Sequence, residues 1–323
     1  MKANTNSAKS TFSGLMVHFF YYLCTMFRRE LKYIFILTAI VVLGACAAKK
    51  QPAAINPNIQ DEVIADAVDT CDCGSYNRLF KGTNYNLKYS CALKYYKNKK
   101  YDKALGLFEE LVPFLKGDTR GEMAAFLFAF SNFHVEDYES ASFYFMIFSK
   151  SYPFSPHSEN AAYMVAYCAY LSSPDIPLDP SNTYRAIQEL QLFIDRYPTS
   201  ARIPMCNTLI DKLRLKLETK DFRMAKQYYK MRQYKAAIAS FKGVMTVYPD
   251  TEYREECLYL IIKSAYLYAN DSFESKKYER YKMAVDNYYT FKARYATSKY
   301  LEELTKVFDD SKVQMEKYKP FKV

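Results

Sequence analysis

Thiols are the side chains of this sequence whose chemistry depends most on where they fall. The 323-residue chain has eight cysteines and three histidines. Cys71-Asp72-Cys73 is the only close cysteine pair, and no second pair follows at zinc-ligand spacing. Cys71, Cys73, Cys91, Cys168, Cys206 and Cys257 therefore read as structural, free or partly paired, and export would permit disulfides. No His-Glu-x-x-His, Gly-rich phosphate loop or nucleophile elbow occurs. Carboxylates sit singly among lysines, the pattern of solvated helix faces. The expectation is a protein that is not an enzyme and that has no cofactor, no metal site and no catalytic residue. One thiol stands apart, Cys46, which ends an apolar run and is followed by Ala47, Ala48, Lys49 and Lys50.

Reading back from Cys46, Tyr33 to Leu43 is 11 residues without a charge, preceded by Arg28, Arg29 and Lys32 and by Met26. A basic stretch, a short apolar core and small residues at the end make a secretory signal peptide. The run is too short for a comfortable bilayer span, which takes about 20 residues. Leu43-Gly44-Ala45-Cys46 resembles the lipobox of bacterial lipoproteins. That resemblance implies an acylated Cys46 thiol, cleavage just before it and an acylated new N-terminus, which together give stable membrane anchoring. Residues 1–45 are thus expected to be a cleaved lipoprotein signal peptide. Translation is expected to start at Met26, because the apolar patch Leu15 to Tyr22 is followed by another charged segment.

These thiols hang on a chain whose composition suits packed helices: 8 Gly, no Trp, 32 Tyr and 23 Phe. The first 45 residues carry five Lys/Arg and one Asp/Glu, which leaves 40 and 34 in the rest, a net charge of +6. Both signs are interspersed and no block resembles a nucleic-acid tract, so no nucleic acid is expected as a partner. Residues 46–84, without a sustained period, read as the lipidated N-terminus and a tether. Residues 85–323 read as a repeat domain.

The repeat is visible in AAFLFAFSNF (124–133) against AAYMVAYCAY (161–170). Small residues match at Ala124/Ala161, Ala125/Ala162 and Ala129/Ala166, aromatics at Phe126/Tyr163, Phe130/Tyr167 and Phe133/Tyr170. Second helices are expected from Tyr101, Tyr138, Tyr184, Tyr234 and Tyr281. In each, an alanine (Ala104, Ala141, Ala186, Ala237, Ala284) precedes a large residue by four (Phe108, Phe145, Leu190, Phe241, Tyr288), so both share one helix face. Tyr152-Pro153, Tyr197-Pro198 and Tyr248-Pro249 stop three of these helices, since proline disfavours helix at the residue before it; Tyr295-Ala296 marks the same place without proline. The pattern resembles the tetratricopeptide repeat. It implies an all-α superhelix of about five tetratricopeptide-like hairpins. The signature alanines lie 37, 45, 51 and 47 residues apart, against about 34 for the standard period. Loops at 172–182 and 270–277 and a long helix from Met205 to Arg232 are expected to absorb the excess.

In that repeat family the first helix of each hairpin lines a concave groove. Carried over, the positions are Tyr89, Leu93 and Tyr96, then Phe126, Phe130 and Phe133, then Tyr163, Tyr167 and Tyr170, an aromatic groove for a substrate or peptide. Farther along come Phe222, Lys226, Tyr229, Lys263 and Tyr266, expected to bind a partner. The lipobox, five expanded repeats and the recurrent Tyr-Pro-x-Ser/Thr stops resemble the BamD family of outer-membrane protein assembly factors. The resemblance implies a lipid-anchored scaffold on the periplasmic face of the outer membrane. Its partners would be the barrel subunit and other lipoproteins of the assembly complex and unfolded outer-membrane proteins. Two other readings use similar parts. One is a repeat lipoprotein coordinating cell-wall synthesis with envelope constriction, although residues 47–84 lack the heptads of a coiled coil. The other is a nutrient-binding repeat lipoprotein, usually larger and tryptophan-rich.

Overall fold

A small residue facing a large one lets two helices approach closely, and here that contact recurs in every hairpin. The computed structural model describes residues 71–320, and Met26, Cys46 and residues 47–70 of the expected tether lie outside the described residues. Ala104, Ala141, Ala186, Ala237 and Ala284 are buried, as are Phe108, Phe145, Leu190, Phe241 and Tyr288. Ala92, Ala129, Ala166, Ala225 and Ala265 on the partner helices are buried too.

The described residues form twelve helices: α1 (Tyr76–Lys81), α2 (Tyr85–Lys97), α3 (Tyr101–Phe114), α4 (Gly121–His134), α5 (Tyr138–Ser151), α6 (Ser158–Leu171), α7 (Ser181–Arg196), α8 (Ile203–Lys230), α9 (Tyr234–Val247), α10 (Arg254–Asn270), α11 (Glu274–Arg294) and α12 (Leu301–Lys317). From α2 onward, consecutive helices pair as five hairpins, α2 with α3 through α10 with α11. Each second helix also packs on the first helix of the next unit. The last helix, α12, closes the array by burying Leu304 in a cluster with Ile262, Tyr288 and Phe291. The architecture is the all-α, tetratricopeptide-like repeat array that the spacing predicts.

Two kinds of turn set the repeat. Within the first, second and fourth hairpins the chain reverses through one residue at positive φ: Lys99 (57°), Glu136 (65°) and Arg232 (59°). The following N–H closes a six-residue ring to the helix, Lys100 to Tyr95 O (2.8 Å), Asp137 to Asn132 O (3.0 Å) and Gln233 to Tyr228 O (2.9 Å). This is a Schellman stop built without its usual glycine. Between hairpins, Tyr152, Tyr197, Tyr248 and Tyr295 each end a helix with non-helical backbone, φ near −125° and ψ near +65°. Tyr295 adopts it although alanine follows.

The hydroxyl of the Tyr-Pro-x-Ser/Thr stop has a double task. Ser155 Oγ accepts the His157 N–H (3.0 Å) and donates to Glu122 on α4 (2.6 Å). Ser200 Oγ accepts the Arg202 N–H (3.2 Å) and donates to Glu159 on α6 (2.6 Å). Thr251 Oγ1 accepts the Tyr253 N–H (3.1 Å) and donates to Glu218 on α8. Each hydroxyl thus occupies an otherwise unpaired donor at a helix start and ties that helix to the first helix of the preceding hairpin.

Three sequence boundaries need correction. The tether was expected to run to residue 84, but from Cys71 the chain packs on the first hairpin. The Cys73–Cys91 disulfide fastens it to α2, Lys94 Nζ donates to Cys71 O (2.8 Å), and Lys88 donates to Phe80 O (2.8 Å). The loop expected over 270–277 is short, because α11 starts at Glu274, seven residues before Tyr281, and the extra length is helix. In the third hairpin α7 starts at Ser181, so its loop covers 172–180. There Lys220 Nζ on the long helix α8 donates to the carbonyls of Ile176 (3.0 Å), Pro177 (3.2 Å) and Leu178 (2.7 Å).

The buried alanines give a direct test of the register. Ala141→Leu inserts atoms into a fully buried helix contact, and overpacking of that kind costs roughly 1–3 kcal/mol. Urea unfolding of the variant is expected to show that loss, while Phe143→Leu, at an exposed position of the same helix, stays within about 0.5 kcal/mol.

Candidate binding surface

Helices α2, α4 and α6 carry the nine residues expected to line an aromatic groove, and the structure divides them. Leu93, Tyr96, Phe126, Phe130, Tyr163 and Tyr167 are buried. Tyr89, Phe133 and Tyr170 are partly exposed. An open row of nine groove side chains is therefore corrected to three. The reason is size: at these positions an aromatic ring reaches both its own second helix and the next unit. Phe126 contacts Phe148 of α5 (centroids 5.1 Å) and stacks on His157 at the start of α6 (4.7 Å). Phe130 meets Phe145 edge-on (4.8 Å). Tyr163 meets Phe193 of α7 (5.6 Å) and lies under the Arg202 guanidinium (4.6 Å). These rings are inter-hairpin core.

The exposed remainder is spread over the first three hairpins. Tyr89 lies beneath the Arg120 guanidinium (5.5 Å). Phe133 reaches Tyr167 (6.2 Å) and so bridges α4 to α6. Tyr170 continues the stack from Tyr167 (6.0 Å).

The five residues expected to bind a partner at the C-terminal end also divide. Phe222 is buried, stacked on Tyr253 at 4.2 Å. Lys226 pairs with Glu256 of α10 (2.8 Å). Lys263 pairs with Glu303 of α12 (2.8 Å) and donates to Tyr259 Oη (3.1 Å). Tyr266 Oη donates to Asp310 of α12 (2.7 Å). Tyr229 lies edge-on to Tyr234 (6.0 Å) and is partly exposed. Four of these side chains thus engage the next unit of the array, and Lys226, Tyr229, Lys263 and Tyr266 keep some exposure.

Sequence reasoning missed three groups that fix this surface. Glu122 and Glu159 stand two residues before Ala124 and Ala161, so carrying the repeat alignment slightly upstream exposes them. Lys88 is almost completely buried and held by Glu110 at 2.6 Å; a charge inside α2 gives no periodic signal. The Cys73–Cys91 bond joins residues that only the fold brings together. Cys71 Sγ lies 3.8 Å from Cys73 Sγ, and the three sulfurs of Cys71, Cys73 and Cys91 lie within 4.8 Å of one another. The disulfide occupies two of the three. Burial pushes the thiols of Cys168 and Cys257 up to about 12 and that of Cys206 up to about 11. At neutral pH these remain apolar, protonated core groups.

His134 belongs to the same aromatic layer. It stacks on Tyr101 at 4.0 Å and lies 5.9 Å from Tyr96. Burial, with a smaller push from the Lys99 charge, lowers its pKa to about 4. The unfolded chain takes up this proton near pH 6.5 and the folded chain does not, so stability falls as pH drops from about 6.5 to about 4. One such proton contributes a slope of at most about 1.4 kcal/mol per pH unit. Urea midpoints measured between pH 7 and 4 are expected to show a shallower dependence for His134→Phe, which keeps the stack on Tyr101. An unchanged slope would assign the acid sensitivity to other groups.

Stacked α-hairpins tied through their first helices, with aromatic and charged side chains left at their surfaces, define a tetratricopeptide-like repeat protein, a class that works through surface contact. A family model described as YfiO, outer membrane lipoprotein, matches residues 83–277; the chain belongs to this family. It is 28% identical over 130 residues to the outer membrane protein assembly factor BamD of Caulobacter vibrioides, covering 40% of this chain and 42% of that protein. It is 27% identical over 180 residues to the BamD of Rickettsia prowazekii, covering 56% of this chain and 71% of that one. The chain thus matches less than half the length of the Caulobacter protein. A solved tetratricopeptide-repeat domain aligns at a TM-score of 0.35 with 12% identity, over 76% of this chain and 69% of that one. Among the described residues, no helix is long and apolar enough to cross a membrane.

Proposed function

We propose that this chain is a non-enzymatic scaffold for outer-membrane protein assembly, lipid-anchored through Cys46 on the periplasmic face of the outer membrane. In this reading it binds the barrel subunit and other lipoproteins of the assembly complex through its C-terminal hairpins, and unfolded outer-membrane proteins through its N-terminal ones. The observation that carries the proposal is the family match over residues 83–277, which spans most of the array, together with likeness to two proteins named as assembly factors. The array supplies the rest: partly exposed Tyr89, Phe133 and Tyr170 for an aromatic-ended strand, and Lys226, Tyr229, Lys263 and Tyr266 toward the other end.

Affinity purification of the detergent-solubilised protein, with companions identified by mass, tests the assembly role. Barrel-assembly subunits are expected; cell-wall synthases in their place would overturn it. The anchor is tested by Cys46→Ala, which is expected to abolish fatty-acid labelling and release the protein from membranes. The substrate surface is tested by substitution. Phe133→Ala and Tyr170→Ala are expected to remain folded and to weaken binding of a peptide copied from the last strand of a barrel protein by about 1–2 kcal/mol each. Phe130→Ala and Tyr167→Ala are expected to cost about 3–5 kcal/mol of stability instead. Folded Phe133→Ala and Tyr170→Ala with unchanged peptide affinity would remove the substrate role from this surface.

A further inference from the structure

We propose that the turn between α2 and α3 docks on anionic phospholipid headgroups of the membrane that carries the protein. The turn is built from Lys97, Asn98, Lys99, Lys100, Tyr101, Asp102 and Lys103, and all four lysines are exposed. Asp102 is the one acid among them.

The turn's backbone does not require a cation at Lys99, and the start of α3 does not favour one at Lys100 or Lys103. Lys99 occupies the positive-φ position of a turn that the second hairpin makes with Glu136 and the fourth with Arg232, so the backbone accepts either sign. Lys100 and Lys103 sit at the N-cap and first turn of α3, where the helix dipole disfavours cations. Lys103 is held in place all the same, with its ammonium over the rings of Tyr76 (5.6 Å) and Tyr95 (5.7 Å). The field of this cluster is felt inside the domain, since Lys99 adds to the lowering of the His134 pKa. The corresponding turn of the second hairpin, Val135-Glu136-Asp137-Tyr138-Glu139, is acidic. The fourth hairpin's turn is basic as well, with exposed Lys230, Arg232 and Lys235, so charge alone does not single out the first turn and the chain's point of entry must.

The place where the chain enters the domain selects a membrane over other polyanions. The first described residue, Cys71, is held against α2 one turn before this cluster by the Lys94 bond to its carbonyl. The Cys73–Cys91 disulfide and the Tyr76 Oη bond to Lys103 O (3.4 Å) fix the following residues along the same turn. A lipid on Cys46, 25 residues before Cys71, would tether the array to the bilayer at this end. Lysines near an anionic surface each add about a fivefold preference, screened beyond a Debye length. The inference rests on the anchored reading for its choice of partner.

The test uses the full chain purified from membranes and reconstituted with vesicles of phosphatidylcholine alone or with phosphatidylglycerol added. A water-soluble amine-reactive reagent and mass spectrometry then report the accessibility of Lys99, Lys100 and Lys103. With phosphatidylglycerol, labelling of these three is expected to fall about fivefold or more, to recover in high salt, and to leave Lys306 on α12 unchanged. Equal labelling in both vesicles, or protection in phosphatidylcholine alone as well, overturns the proposal. Protection that requires added RNA or an acidic protein overturns it too, in favour of that polyanion. Flotation separates this result from failure of the anchor. If the protein does not float with phosphatidylcholine, anchoring fails, and docking is then read from flotation with phosphatidylglycerol. There the wild type is expected to float and Lys99→Gln/Lys100→Gln/Lys103→Gln to stay behind, and equal behaviour of the two overturns docking.

Discussion

Close approach of helices at paired alanines is the contact on which this structure depends. Ala92 and Ala104, Ala129 and Ala141, and Ala225 and Ala237 are fully buried on the two packed helices of their hairpins, positions where only short side chains fit. Phe108, Phe145 and Phe241 can then fill the space one turn on. Because a hairpin of two short helices cannot bury its apolar faces alone, the faces left over are covered by the next unit. The Ser155, Ser200 and Thr251 hydroxyls fix the angle at which that unit arrives by holding Glu122, Glu159 and Glu218. Packing specifies the hairpin, and hydrogen bonds specify the step between hairpins.

Much of this was legible in the sequence, for a physical reason. Steric demands repeat with the fold, so Ala104, Ala141, Ala186, Ala237 and Ala284 announce themselves by spacing, and proline marks the helix ends at Tyr152, Tyr197 and Tyr248. The surface was less legible. A groove position identifies which way a residue faces within one hairpin, yet burial depends on how far its side chain reaches into the neighbour. Phe126, Phe130, Tyr163 and Tyr167 are long enough to be covered, while Phe133 and Tyr170, one turn later, are not. The cations at the C-terminal end followed the same logic, since Lys226 and Lys263 find carboxylates on the next first helix. Lys88 and the Cys73–Cys91 bond left no trace in the pattern because neither recurs.

Burial of the aromatic rows changes what this protein can offer a partner. A wide apolar trough would attract any exposed hydrophobic segment, including the protein's own copies. On the proposed reading, separate aromatic side chains on successive hairpins would instead offer spaced anchor points, which would suit an extended chain whose side chains alternate. Affinity is then set by how many anchors a segment can reach at once, and a weak hold at each one permits release.

The long helix α8 has a mechanical consequence. Its 28 residues extend about 42 Å. Cys206, Leu209, Ile210 and Leu213 are buried along its first half, and Phe222 and Ala225 of the second half join the fourth hairpin's core. Lys216 and Lys220 fasten its middle to the loop of the third hairpin. The helix packs on both α7 and α9 without a break, so a hinge within it would have to rupture main-chain hydrogen bonds. The array accordingly behaves as an elastic beam: load applied to the third hairpin is carried as bending and torsion into the fourth, and returns when the load is removed.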